Sequence, residues 1–308
     1  MGDEFDPKEI LSTITSNWRL IASITSIFAL ISVIYSLSLT NIYTASAQLS
    51  PSSNNNSSNS LAQYAGLASM AGISLGENNS AISDTQLALS LIKSKTLLKR
   101  LINNKNILPD LMAAKKWNIG NNSVIYDEDL FDMKEQVWVR DVDFPFNVIP
   151  SLQEAHIEFT KLISVSQDTK TQLITIRVSH LSPTVAYKWT KWVIEEVNLL
   201  VADMRITEAE SSINYLNEQI LDTPFAELRT MLYGLMQQNT QSMMLAKIRP
   251  EYALTTIDAP LVPEMKSYPV RSVICIIITL FGLMIAILVV FIRHYVFDIT
   301  RTQISPGD

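Results

Sequence analysis

Two charge-free apolar runs, one near each end of the chain, restrict its fold more than any other feature. The first is Leu20 to Leu39 and the second Val273 to Ile292. About 20 apolar residues is the length of a helix that crosses the hydrocarbon core of a bilayer. Ser and Thr residues in the first run do not disqualify it, because they can bond back to the helix's own carbonyls. A cleaved signal peptide is the rival reading, and Ala45-Ser46-Ala47 resembles a cleavage site. The preceding segment argues against it. Asp3, Glu4, Asp6 and Glu9 outnumber Lys8 and Arg19, and the run exceeds the usual apolar core of about 7–15 residues.

Two spans place both ends of the chain on one side. Lys8 and Arg19 precede the first run, and no Lys or Arg follows it until Lys93. That bias predicts a cytoplasmic N-terminus. Lys266 and Arg271 flank one end of the second run, and Arg293 and Arg301 the other, so it adds nothing to the orientation. The expected organisation is therefore a cytoplasmic tail over 1–19, a membrane helix over 20–40, an extracytoplasmic domain over 41–271, a second membrane helix over 272–293, and a cytoplasmic tail over 294–308. Neither tail has room for a cytoplasmic domain.

A short proline-rich collar precedes the second run. Pro260, Pro263 and Pro269 lie in D-A-P-L-V-P-E-M-K-S-Y-P-V-R. Proline fixes φ, removes a backbone donor and pushes its neighbour towards extended conformations. These three are expected to stiffen the junction between domain and membrane. Within the second run, Gly282 and Ala286 form a small-xxx-small pair, the pattern that lets two membrane helices approach closely. Glycine is also simply tolerated in such helices, and the pattern alone does not separate the two readings.

The chain has 308 residues, 47% hydrophobic and 18% charged, with a net charge of −6. The stretch between the runs is long enough to bury a core. Its acidic balance argues against a nucleic-acid partner. The single cysteine, Cys275, lies inside the second run, so the outer domain is built without disulfides.

Asn41 to Pro51 alternates like a strand leaving the membrane. Ser52 to Ser60 is a Ser/Asn run with nothing to pack, and is expected to be a loop. Leu61 to Gly76 carries Gly66, Gly72 and Gly76, but no Lys-Ser/Thr follows, so it is not a phosphate loop. Ser83 is a candidate N-cap for one helix running to Pro109, with Lys93, Lys95, Lys99 and Arg100 on its polar side. That basic face could bind lipid or a polyanion; an ordinary solvated face is the simpler reading. Asp110 to Trp117 reads as a further helical turn or two. Tyr126 to Asp132 is an acidic surface run that lacks the spacing of a calcium loop. Leu152 to Phe159 reads as a short helix or turn.

Leu162–Gln167 and Leu173–His180 are the clearest strands, joined by Asp168-Thr-Lys-Thr as a hairpin. Ser182-Pro183 then starts a helix without a breaker to about Leu221, roughly 58 Å long. Trp189, Val193, Val197, Leu200 and Met204 form a stripe along it, and beyond Met204 that face turns polar. Thr223-Pro224 restarts a helix down to Ile248, which makes a helical hairpin, and Tyr252–Ile257 is a last strand. The fold class expected is α+β: two membrane helices flanking a membrane-proximal α/β base with a long protruding helical hairpin over about 183–248. His156, His180 and His294 have no ligand-like spacing, and neither a Walker motif nor a Ser/His/Asp motif is present. No enzyme activity, metal or cofactor is expected.

Several stretches in order resemble the polysaccharide co-polymerases, the Wzz-type chain-length determinants. They are Y-T-A-S-A-Q-L, A-L-S-L-I-K-S-K-T-L-L, S-V-S-Q-D-T-K-T-Q-L-I-T-I-R-V-S-H-L-S-P, N-Y-L-N-E-Q-I and M-L-A-K-I-R-P-E-Y-A-L-T-T-I-D-A-P-L-V-P-E, bracketed by the two apolar runs. Their order and spacing carry the resemblance across nearly the whole chain. It implies a two-pass protein of the bacterial inner membrane with a periplasmic domain. It further implies a closed homo-oligomeric ring, often octameric, working with a Wzy-type polymerase on a nascent polysaccharide such as lipopolysaccharide O-antigen to set its modal length. The missing tyrosine-kinase domain resembles the kinase-free class. A membrane-anchored adaptor or sensor of polysaccharide export is the alternative from another class.

Overall fold

The computed structural model describes residues 15–52 and 83–302, with side chains through Arg293. The Ser/Asn run after Ser52, the Ala/Gly-rich stretch Leu61–Gly76, the acidic residues before the first apolar run and the side chain of His294 lie outside the described residues. The chain divides into two compact units, Met1–Ile42 with Lys266–Asp308, and Tyr43–Met265.

The first unit is a pair of helices, α1 (Trp18–Ser38) and α8 (Arg271–Thr302). Each is long and apolar enough to cross a membrane, with only 11% and 17% of the most apolar window buried in the protein. The core helix of a soluble domain would be mostly buried. Leu30, Ile34 and Ile277 instead turn 66%, 70% and 60% of their surface outward.

The second unit is built on a four-stranded antiparallel sheet in the order β6-β7-β1-β8. Its strands are β1 (Tyr43–Pro51), β6 (Ile163–Gln167), β7 (Ile174–His180) and β8 (Leu254–Asp258). Alternation decides which face is buried. Ala45, Val178 and Ile163 share one rung, and Ala47, Ile176 and Val165 the next. Every second residue of β1 and β7 is buried, from Tyr43 to Leu49 and from Ile174 to His180. The long helix α6 (Pro183–Asp222) packs on this sheet through Trp189, Val193, Val197 and Val201. Each such side chain contributes about 1.5–3 kcal/mol by leaving water. β8 pairs antiparallel with the second half of β1 and runs towards the end where β1 starts, stopping opposite Gln48.

The helix expected to run unbroken from Ser83 to Pro109 is instead three. Ser83 caps α2 (Asp84–Ile92) in a capping box with Gln86. Ser94, in extended backbone, accepts from the Leu97 amide and caps α3 (Lys95–Lys105). The local cap outcompetes continuation of the helix. Asn106, at φ 50°, ends α3 in the left-handed conformation, and Pro109 sits inside the first turn of α4 (Leu108–Met112) rather than ending a helix. The turns expected over Asp110–Trp117 are only partly helical. β2 (Ala114–Asn118) follows and pairs with β3 (Ser123–Tyr126) as a hairpin.

The acidic run Tyr126–Asp132 is not all surface. Phe131 is buried in β4 (Phe131–Asp132), between the rings of Tyr126 and Trp138, and Trp138 belongs to the partner strand β5 (Val137–Trp138). An irregular segment then leads to α5 (Leu152–Leu162). Arg140 holds that segment by donating Nε to the carbonyls of Asn147 and Val148 and Nη1 to Glu154 at 2.8 Å. The guanidinium pulls the Glu154 carboxyl down to about 2.

α6 has 40 residues, so it is about 60 Å long. Its second half carries a narrow buried line, Ala209, Leu216 and Ile220, and packs against α7 (Ala226–Ile248), whose Ala246 is also buried. Thr223 and Pro224 form the connection, and α7 starts two residues later than expected, at Ala226. Leu199, Tyr215, Leu221, Phe225, Tyr233, Met244 and Ile248 remain exposed on the hairpin.

Candidate functional site

α1 and α8 pack tightly at a residue with no side chain. A Cβ built on Gly282 meets Cβ of Phe28 at 2.4 Å and its Cγ at 2.6 Å. Ala286, one turn further on, has no exposed surface, and Val290 and Ile21 complete the seam. Gly282 and Ala286 therefore lie on one face of α8, turned to α1, as the small-xxx-small spacing requires. Polar groups in the pair bond within their own helix: Ser32 Oγ donates to the Ala29 carbonyl at 2.7 Å and Thr279 Oγ1 to that of Cys275 at 2.7 Å. The Ser36 and Thr25 hydroxyls are buried without a hydrogen-bond partner.

The three prolines differ in burial. Pro260, two residues beyond β8, is buried, while Pro263 and Pro269 are half-buried. Between them Leu261 and Met265 are exposed. The residues nearest α8 are held by backbone. Ile42 donates to the Tyr268 carbonyl at 2.9 Å, and its own carbonyl accepts from Ser267 at 2.8 Å. Arg271 Nη2 donates to Asn41 Oδ1 at 3.3 Å.

Sequence reasoning missed the residue that joins the long helix to the last strand. Asn198 is buried on α6. Its Oδ1 accepts from the amides of Ala253 and Leu254, both at 2.9 Å, and its Nδ2 donates to the carbonyls of Leu254 at 3.0 Å and Ile194 at 3.2 Å. An asparagine on the buried side of a helix was the available signal, since such a group is retained only when bonded.

His156 and His180 both bond backbone groups. His156 Nε2 bonds the Lys93 carbonyl at 2.7 Å. His180, at the end of β7, accepts from the Ser182 amide at Nδ1 and donates from Nε2 to the Asp110 carbonyl at 3.0 Å. Both bonds need the neutral imidazole with its proton on Nε2. Burial pushes its pKa below the ordinary value, despite the opposing pull of Asp110. The unfolded chain therefore binds a proton that the folded chain refuses, so this contribution is complete above about pH 6.5 and fades as pH falls through it. Unfolding of the detergent-solubilised protein should show a loss of stability between neutral pH and pH 5. In His180→Phe stability should be lower throughout, but that pH dependence should be gone.

Several charged residues elsewhere pair with one another. Arg205 bonds Asp84 and Glu208, both at 2.6 Å, in an open groove between α2 and α6. Arg100 bonds Asp203 at 2.8 Å and lies 3.6 Å from buried Glu196. Among the described residues no group of three or more His, Cys, Asp or Glu side chains is placed to hold a metal ion.

Residues 3–105 match the family model for Wzz, chain length determinant protein. The match takes in α1, β1, α2 and α3, and names the family that the sequence resembles. No curated protein matches the chain. Solved structures with a related course include one titled full-length bacterial polysaccharide co-polymerase, at 14% identity and TM-score 0.39, covering 95% of this chain and 99% of that one. Another is a fragment of WzzB, polysaccharide co-polymerase from Salmonella Typhimurium, at 12% identity and TM-score 0.31, covering 74% of this chain and 100% of that one.

Proposed function

We propose that this chain, whose residues 3–105 match the family model for Wzz, chain length determinant protein, sets the modal length of a surface polysaccharide such as O-antigen as a non-catalytic co-polymerase. The family match carries the reading. The two apolar helices on either side of a mixed α+β domain are consistent with it. In this reading the spans are 20–40 and 272–293 in the bacterial inner membrane. Residues 41–271 are periplasmic, the tails 1–19 and 294–308 are cytoplasmic, and a Wzy-type polymerase makes the bonds.

Length control of this kind needs a defined assembly beside the polymerase, not a reacting group. The apolar side chains left exposed along α6 and α7, Leu221, Phe225 and Tyr233 among them, support self-association. A ring of copies, eight by resemblance, would enclose the growing chain. Pro260, Pro263 and Pro269 would act as the stiff joint between base and membrane helices. The test is the length distribution of the lipid-linked polymer on a gel. Cells lacking the chain should lose the modal cluster and regain it on complementation. Replacing all three prolines by alanine should broaden or shorten the cluster at normal protein level, and single replacements should do less. A normal cluster without the protein would reject the function. A normal cluster with the triple variant would reduce the collar to a boundary.

A further inference from the structure

The β2–β3 hairpin is held firmly and yet presents apolar side chains outward. Its tip, Asn118-Ile119-Gly120-Asn121-Asn122, is fixed by four hydrogen bonds. The Gly120 amide donates to Asn118 Oδ1 at 2.9 Å, and Ser123 Oγ to Asn121 Oδ1 at 2.7 Å. Trp117 Nε1 and Thr184 Oγ1 both donate to Asn122 Oδ1, at 3.1 and 3.0 Å. Asn122 takes φ 50°, a conformation asparagine tolerates better than most residues. What this order displays is Ile119, 74% exposed, and, on the outward face, Ile125, 45% exposed, directly opposite Lys116.

The hairpin also has a definite place. Trp117 packs edge-on against Tyr43, with ring centroids 5.2 Å apart. Tyr43 opens β1, five residues after Ser38 ends α1. Five residues span at most about 17–18 Å. The connection from α1 enters the sheet at this end, and β8 runs towards it, stopping at Asp258 opposite Gln48. Lys115 is paired with Asp127 at 3.1 Å, which leaves Lys116 as the exposed positive charge within residues 114–126, a stretch with no acidic residue of its own.

We propose that the β2–β3 hairpin rests on the lipid surface of the membrane that α1 and α8 cross. Ile119 enters the headgroup layer, and Lys116 lies over the phosphates of anionic lipid. Trp117 stands behind them, at the depth where indole rings collect at membrane interfaces. Each lysine near such a surface adds to the attraction, and the contact weakens with salt. The contact gives the base a second hold on the membrane beside the chain connections. This inference rests on the reading of α1 and α8 as membrane helices.

The test uses the full chain in vesicles of phosphatidylethanolamine and phosphatidylglycerol, in a Cys275→Ser background that leaves no other thiol. An environment-sensitive fluorophore is attached at Ile119→Cys, at Ile31→Cys in α1, and at Leu221→Cys. Leu221 lies 37 residues along α6 from Thr184, about 55 Å of helix. Lipids carrying a nitroxide near the headgroup should quench the label at 119 several-fold more than at 221, with blue-shifted emission at 119. A nitroxide within the acyl chain should quench the label at 31. Quenching at 31 with none at 119 overturns the hairpin contact alone. A blue-shifted label at 119 that lipid nitroxides do not quench means that protein covers the hairpin, and overturns it too. No quenching at 31 removes the spans, and the proposal with them.

Discussion

Gly282→Leu should drive α1 and α8 apart. The first atom of any side chain at this position would lie 2.4 Å from Cβ of Phe28. That atom is fixed to the α1 backbone, so no rotamer change moves it aside. Overpacking of this kind costs about 1–3 kcal/mol where the surroundings can yield, and more where they cannot. In a membrane the loss is not offset by hydrophobic attraction between helices, since lipid is as apolar as the side chains. Two spin labels, one on each helix, should report a longer separation in the variant, and the modal polymer cluster should weaken at unchanged protein level. The second-site pattern is specific. Phe28→Ala keeps the offending Cβ and should not rescue the spacing, whereas Phe28→Gly should. Leu280→Ala, on a face that is 59% exposed, should do nothing. An unchanged separation in Gly282→Leu would mean that the glycine is only tolerated.

Asn198→Leu should be the most damaging single change in the 43–265 unit. It leaves the amides of Ala253 and Leu254 buried without acceptors, and frees two carbonyls that the side chain had bonded. Each unmet buried group costs about 1–3 kcal/mol, so the loss should reach roughly 3 kcal/mol or more. Asn198→Asp should also fail, because a carboxylate cannot donate to the carbonyls of Leu254 and Ile194. The damage should be directional. Hydrogen exchange of the full chain in nanodiscs should accelerate first at Ala253 to Thr256, the start of β8, before α6 loosens. Exchange that rises equally across β6 and β7 would show that Asn198 is not the joint between long helix and last strand.

Features carried by periodicity could be read from the chain alone. The two apolar helices, the β6–β7 hairpin and α6 are long or strongly alternating, and their hydrophobic spacing leaves little choice. Features decided by one local competitor could not. Leu87, Leu91 and Leu98 keep helical spacing across Ser94, so the cap that divides α2 from α3 has no trace in the pattern. Ala114–Asn118 offers no clean alternation and follows a proline and an aspartate that suit a helical first turn, so β2 was hidden. Phe131, in a run of carboxylates, is buried because Tyr126 and Trp138 close around it, and both partners come from other strands.

The site was legible in the same uneven way. Small-xxx-small spacing singled out Gly282 and Ala286, but nothing near them in sequence points to Phe28, whose Cβ sets the limit. Asn198 draws three of its four bonds from Ala253 and Leu254, more than fifty residues away. Such partners are supplied by topology, not by neighbours. The collar prolines were conspicuous as residue types, and their mechanical role stands as a proposal.

The helix pair, the co-polymerase reading and the lipid-facing hairpin share one requirement: the 43–265 unit lies on one side of a membrane and both flanking segments on the other. Protease added to intact spheroplasts tests this most directly, with epitope tags before α1 and after α8. Digestion should remove the central domain and leave both tags protected until the membrane is opened with detergent. A central domain protected in intact spheroplasts, or tags on opposite sides, would contradict the account.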